Sequence, residues 1–193
     1  MIGRVALVSA ICIIVAATPV TAASHTVSVV DFGFTQSRVS VALGDSVRWA
    51  NTGSFTHSTT GDSPLALWSM DIAPGGARTR SFRQAGTFRY HCRFHSSMTG
   101  AVKVPMKVSD STPKVDQQVT LSVATVGAPA GYRYSIQRRA PGGSFKTWKA
   151  VTGRTTSFKS KSTGTWSFRS RLVRTADGAA SGWSPSISVR VHA

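Results

Sequence analysis

The chain has 193 residues, with 23 Lys and Arg, seven Asp, no Glu and a formal net charge of +16. So few acids leave little room for paired-carboxylate acid–base catalysis, and none of the aspartates falls in a recognisable catalytic motif. The two cysteines, Cys12 and Cys92, are too few for a disulfide framework.

Arg4 and the apolar run Val5 to Ala17 open the chain, followed by Thr18, Pro19 and the small residues Ala22, Ala23 and Ser24. This is the pattern of a cleaved secretory signal peptide. The apolar run has 13 residues. A membrane-spanning helix needs about 20, so a retained anchor is the weaker alternative. Residues 1–23 are therefore expected to be removed, by cleavage after Ala22 or after Ala23, and the mature protein to be secreted into the cell envelope or beyond. Cys12 would leave with that segment. Cys92 would then be a lone thiol in an oxidising compartment, open to oxidation unless it is buried, reactive or bound to metal. Cleavage after Ala22 would put His25 third in the mature chain. A terminal amine, two backbone amides and that imidazole can form a square of nitrogens for Cu(II) or Ni(II). Cleavage after Ala23 removes this arrangement, and the plainer expectation for His25 is the start of a first strand.

Period-2 alternation and turn residues dominate the mature chain, and no segment reads as a helix. Strands are expected at Thr26–Val30, Val39–Val41, Ser46–Ala50, Thr79–Phe82, Thr87–Cys92 and Ala101–Val108. Turns fall at Gly44-Asp45, at Ala73-Pro74-Gly75-Gly76 and at Ala85-Gly86. The polar, proline-bearing stretch 109–114 reads as a linker. Strands resume at Gln118–Ala124, Tyr132–Arg138, Thr165–Arg171 and Ile187–Val191. The expected fold is all-β: a first β-sandwich domain over 24–108 and a second over 115–193.

The stretch Tyr90-His91-Cys92-Arg93-Phe94-His95-Ser96-Ser97-Met98 carries the chemistry. Alternation puts Phe88, Tyr90 and Cys92 on one face of a strand, with Arg89 and His91 on the other. Cys92 then ends a core strand. His95 and Met98 follow in a short loop, and Gly100 lets the chain re-enter a strand. A thiolate, an imidazole and a thioether can converge there, a donor set that selects copper. A trigonal site with a weak axial Met needs one more nitrogen, and His57, after the Trp49 strand and a turn-rich segment, is the best candidate. His91 points away. The rival readings are a buried cysteine with incidental histidines, and a zinc site, although zinc seldom uses Met.

With these residues the stretch from about 26 to 105 resembles the type 1 (blue) copper proteins of the cupredoxin family, the plastocyanin and amicyanin group. The likeness lies in Gly44-Asp45-Ser46-Val47-Arg48-Trp49-Ala50-Asn51, His57, Pro74-Gly75, Phe82, Gly86 through Cys92, His95, Met98, Gly100 and Val102. It implies a Greek-key sandwich holding one copper through His57, Cys92, His95 and Met98, with His95 near the surface passing electrons to a docked partner. Phe94 would lie in an apolar docking patch or in the core. The family often has Pro before and Asn after the first histidine. Here Thr56 and Ser58 flank His57, which bears on the hydrogen bonding to the cysteine sulfur. A site filled by protein ligands has no open position for substrate, so an electron carrier is expected rather than an enzyme. Copper storage or delivery without a redox partner is the alternative.

Residues 115–193 resemble a fibronectin type III-like, immunoglobulin-like module. The matching features are Tyr134 to Arg138, Trp148, Gly164 to Arg171 and Ser181-Gly182-Trp183-Ser184-Pro185. Trp166 and Phe168 should face its core, and Arg169 and Arg171 solvent. Residues 111–193 carry 13 Lys and Arg against two Asp, whereas residues 24–110 carry nine against five. The expected partners are a redox protein and, through the basic half, an anionic cell-wall or membrane surface. Export disfavours nucleic acid, and a monomer is expected.

Overall fold

The computed structural model describes residues 22–193. Residues 1–21, which hold most of the expected signal segment and Cys12, lie outside the described residues. Among the described residues there is no helix, and the chain is all-β.

The first half contains β1 (Ser24–Val30), β2 (Gly33–Phe34), β3 (Arg38–Ser40), β4 (Ser46–Asn51), β5 (His57–Gly61), β6 (Ser69–Ile72), β7 (Ala77–Ser81), β8 (Gly86–Cys92) and β9 (His95–Val104). They form two sheets, in the orders β2-β1-β4-β7 and β3-β9-β8-β5-β6. β1 runs parallel to β4, and β3 parallel to β9. Alternation decides what lies between the sheets. Val47 and Trp49 of β4 point inward and Arg48 outward; Phe88, Tyr90 and Cys92 of β8 point inward and Arg89 outward. With Val27, Val29, Ile72, Val102 and Val104 they make one buried core.

The hairpin from β8 to β9 is tighter than the sequence suggests. β9 begins at His95, and Cys92 pairs with His95 across Arg93 and Phe94. His95 and Met98 therefore lie on a strand, not in a loop. Gly100 sits inside β9, where a side chain would collide with Tyr90: a Cβ there would fall 2.3 Å from the ring. Glycine is needed at this position for close approach, not for re-entry into a strand.

The second half contains β10 (Lys107–Val108), β11 (Val119–Ser122), β12 (Tyr132–Arg139), β13 (Lys146–Val151), β14 (Thr155–Phe158), β15 (Gly164–Arg174) and β16 (Ile187–Val191). A three-stranded sheet, β10-β11-β14, faces a four-stranded one, β13-β12-β15-β16. Leu121, Tyr134, Ile136, Phe158, Phe168, Leu172 and Val189 fill the space between. Lys107 and Val108, expected to close the first half, pair with Ser122 and Leu121 of the second instead. Residues 109–114 lie against this sandwich, with Ser111 and Pro113 carbonyls accepting the N–H of Arg190 and His192.

The two sandwiches touch directly. Thr87 and Gly182 exchange both backbone hydrogen bonds, and Thr87 Oγ1 donates to the Trp183 carbonyl at 2.7 Å. Leu65 and Ala85 from the first half are buried in the second core, and Leu43 and Leu67 pack against both cores.

Asp45 ties down the start of β1. Its carboxylate accepts N–H groups of Ala23 and Ala42 and meets His25 Nε2 at 2.9 Å. Ser24 and His25 are in register with Ser46 and Val47. A square of nitrogens around a metal would require this end of β1 to peel from β4. The start of a strand, the plainer expectation, is what His25 occupies.

Desolvation pushes the Asp45 carboxyl up, but the bonds from His25, Ala23 and Ala42 outweigh it and hold it below the usual carboxylate range. A group whose folded pKa is depressed stabilises fully above its unfolded value, about 3.9, and that contribution disappears as pH falls through the folded one. Asp45→Ala is expected to cost about 1–3 kcal/mol, from the bonds lost and the donors left unpaired. Urea denaturation at pH 7 measures the cost, and the gap between the two proteins should narrow as pH falls below about 4.

Candidate metal centre

Three strands bring the donors together. β5 runs antiparallel to β8, with Thr60 opposite His91, which carries the first residues of β5 to the end of β8. β9 flanks β8 on the other side and places His95 across from Cys92. The donor atoms of His57, Cys92 and His95 all lie within 4.8 Å of one another. Cys92 Sγ is 3.9 Å from His57 Nδ1 and 3.7 Å from His95 Nδ1. With a metal–sulfur bond of about 2.3 Å and metal–nitrogen bonds of about 2.0–2.1 Å, donors in a trigonal plane stand about 3.8 Å apart. The spacing is that of a metal site rather than of packed side chains. His57 and Cys92 are buried and His95 is half-buried. Met98, three residues on along β9, is buried in the same core cluster as Cys92. One thiolate, two imidazoles and a nearby thioether are the donor set of a single type 1 copper.

β5 is a strand the sequence does not announce. His57-Ser58-Thr59-Thr60-Gly61 has no apolar alternation, yet most of it is buried. Trp68 explains this. Its ring lies over Gly61, where a Cβ would come within 2.9 Å, and its Nε1 donates to Thr59 Oγ1 at 3.1 Å. Ser58 then makes two contacts that fix the thiol. Its backbone N–H donates to Cys92 Sγ at 3.3 Å, and its Oγ accepts the N–H of Arg93 at 2.9 Å. The sulfur is thus hydrogen-bonded with Thr56 and Ser58 flanking His57.

His57 Nε2, the nitrogen turned away from the sulfur, is buried and makes no hydrogen bond, and the Asp31 carboxylate stands 3.6 Å away. Asp31 Oδ1 also accepts the N–H groups of Ser54 and Phe55, so it organises the loop that leads into His57. A Cβ at residue 53 would lie 2.2 Å from that oxygen, which is why Gly53 is there. Desolvation pushes the Asp31 carboxyl up, and the bonds from Ser54 and Phe55, with His57 behind them, outweigh it and hold it low. The charge is therefore kept, beside one metal-facing imidazole. The sequence gives no sign of this role: Asp31 is 26 positions from His57.

His95 lies in an aromatic surround. Phe32 and Phe55 have ring centroids 5.2 and 6.5 Å from it. Phe32, Phe55 and Phe94 are 61%, 52% and 48% exposed, which makes this end an apolar surface patch rather than core. Phe32 reaches it with a φ of 65°, a left-handed conformation costly for a bulky residue. Sequence reasoning reached Phe94 alone. His91 stays out of the cluster and faces Asp62 at 2.7 Å on the outer side of the sheet.

No family model matches the chain, and no curated protein matches it. Solved structures of amicyanin do. One, the reduced state of a mutant with phenylalanine replacing a proline, is 27% identical, covers 42% of this chain and 81% of its own, and has a TM-score of 0.40. Another, the reduced Cu(I) form at pH 4 of a proline-to-glycine mutant, is 24% identical, covers 45% and 86%, and has a TM-score of 0.39. What identifies the metal here is the donor set.

Asp31 supplies a negative charge beside His57. A neighbouring anion favours the more positive oxidation state of a bound metal. Asp31→Asn should therefore raise the reduction potential of the copper-loaded protein, while Asn keeps an oxygen for the N–H groups of Ser54 and Phe55. Voltammetry of the two proteins checks this. An unchanged or lower potential would mean that the carboxylate does not act on the metal.

Proposed function

We propose that the protein is a blue copper electron carrier of the cupredoxin kind, working outside the cytoplasm as a monomer. The observation that carries this is the meeting of Cys92, His57 and His95 at one point, with Met98 buried alongside. A copper ion held there supplies a one-electron couple between Cu(I) and Cu(II). The chain does the rest. Burial of Cys92 and His57 excludes water from the donors. The bond from Ser58 N–H holds the sulfur at one position in both oxidation states. The β5-β8-β9 pairings keep the imidazoles at fixed spacing, so little rearrangement accompanies electron transfer. Phe32 and Phe55 brace the ring of His95 at the surface.

The exposed aromatics around His95 favour transfer to a partner over storage. An exposed apolar patch suits brief docking, since burial of such area drives association without fixing a long-lived complex. With Met98 as the fourth donor beside His57, Cys92 and His95, the site would leave no position for substrate, which supports a carrier and not an enzyme. A lone thiol is tolerable outside the cytoplasm when metal and burial protect it, in keeping with export by the expected signal segment.

Copper-loaded protein should be intensely blue from charge transfer between the Cys92 sulfur and Cu(II), and Cys92→Ser should bleach it. A colourless copper complex, or a blue mutant, would overturn the assignment. A reversible one-electron wave separates a carrier from a store, because a store need not cycle. Met98→Gln should keep copper and lower the reduction potential, since a harder oxygen donor favours Cu(II). An unchanged potential would remove Met98 from the ligand set.

A further inference from the structure

The second sandwich carries an ordered row of cations. On the outer face of β12 and β15 the chain places Arg139, Gln137, Arg169 and Arg171. Gln137 lies opposite Arg169 across the strands, and Arg139 opposite Ser167. Phe145 and Trp183 intercalate between the guanidiniums. Arg139 and Arg169 both lie over Phe145, at 4.9 and 4.2 Å from the ring centroid. Arg169 and Arg171 both lie over Trp183, at 5.0 and 4.4 Å. The order is a ladder: Arg139, Phe145, Arg169, Trp183, Arg171. Gln137 Oε1 accepts from Arg169 Nε and Nη2 at 3.0 and 2.7 Å, and Arg139 Nη2 donates to Ser167 Oγ at 3.1 Å. The three cations are therefore held in place before any ligand arrives.

They are also uncompensated. The chain has seven side-chain carboxylates. Asp31, Asp45 and Asp62 face histidines; Asp71, Asp116 and Asp177 pair with Arg93, Lys159 and Arg174. Asp110 accepts from Thr112 and Gln117. Among the described residues none is left for the ladder. Arg169 has its pKa lowered, first by partial burial and then by repulsion from Arg171 and Arg139. A row of like charges at this spacing is unfavourable unless a counter-charge comes from outside the chain.

We infer that the outer face of β12 and β15 is a binding surface for a linear acidic polysaccharide, whose anionic groups are taken by Arg139, Arg169 and Arg171. Charge complementarity sets the class of ligand, and three observations narrow it. Arg169 and Arg171 are two residues apart on one strand, about 7 Å, so the cations follow a line rather than a plane. Each aromatic ring already has two guanidiniums over it, which leaves no platform on which nucleic-acid bases could stack. Among the described residues, the exposed large hydrophobics are Phe32, Phe55, Phe94 and Val126, so only one lies in this half. An acidic protein or a lipid bilayer would be expected to meet apolar anchors or wedges.

The test is titration of the full protein with dextran sulfate, using uncharged dextran as control. Binding to dextran sulfate alone is expected, weakening by roughly tenfold or more between about 50 and 200 mM salt. The variant Arg139→Gln/Arg169→Gln/Arg171→Gln should bind about tenfold or more weakly. Removal of three cations elsewhere on the same half, Lys114→Gln/Arg154→Gln/Arg190→Gln, should cost much less. Equal losses in the two variants would mean that net charge alone is at work and would overturn the proposal. So would binding to dextran, or tighter binding to phosphatidylglycerol vesicles, to a poly-glutamate peptide or to a single-stranded oligonucleotide. Circular dichroism verifies that the variants fold; if the triple variant does not, Arg139→Gln and Arg171→Gln singly carry the same comparison, each with a smaller expected loss. Copper-free protein should bind equally well, so this outcome and the copper assignment stand or fall separately.

Discussion

The placement of one sulfur atom governs the first sandwich. Cys92 ends a strand that has neighbours on both sides, and each neighbour delivers an imidazole. A slip of one residue in either pairing would turn the donors to opposite faces of the sheet. Register is therefore what the core has to guarantee. Phe88, Tyr90 and Cys92 share the buried face of β8, and Tyr90 lies in the space that Gly100 leaves open on β9. Packing two residues away from the thiol thus sets the distance between the sulfur and the nitrogens. Ser58 completes the arrangement from the β5 side, through a backbone N–H that any residue would carry and a hydroxyl that few would.

What was legible in the sequence follows from this. The aromatic alternation before Cys92 and the histidine and methionine after it gave the thiol, its face and three of the donors. His57 was reached only as the best available nitrogen, because β5 is polar. Its burial comes from Trp68, across a long-range pairing that no local pattern encodes. β13 was missed because Lys146 and Lys149 stand where apolar residues would mark a strand; Lys149 instead spans the indole of Trp148. The loop read into residues 93–99 is mostly strand, because backbone pairing between Cys92 and His95 needs no apolar residue. Asp31 and Phe32 were invisible for a different reason. Their roles depend on a left-handed turn that carries the carboxylate to one imidazole and the ring to the other.

Charge is managed differently in the two halves. In the first, the aspartates serve the fold and the site: Asp45 clamps the start of β1, Asp31 the approach to His57, and Asp71 the turn that carries Arg93. In the second, two of the 13 cations have a carboxylate partner, Lys159 and Arg174. The rest rely on water and on aromatic rings. Stacking guanidiniums on Phe145 and Trp183 recovers cation–π attraction for charges that lack ion pairs. It also holds them rigid, so less side-chain entropy remains to be lost on meeting a ligand.

The two halves join where they interfere least with the metal. Thr87 carries the backbone bridge to Gly182, near the start of β8, and Cys92 is the last residue of the same strand. Five residues of extended chain separate them by about 17 Å. The second sandwich therefore holds the pole of the first that is opposite His95, and the patch of Phe32, Phe55 and Phe94 stays uncovered. The contact is a packed one, with Leu65 and Ala85 inside the second core, so the orientation is set by burial and not by the length of a tether. A protein held to a charged polymer through β12 and β15 would keep its copper end at a fixed attitude. A partner could then reach His95 without the carrier letting go of the polymer.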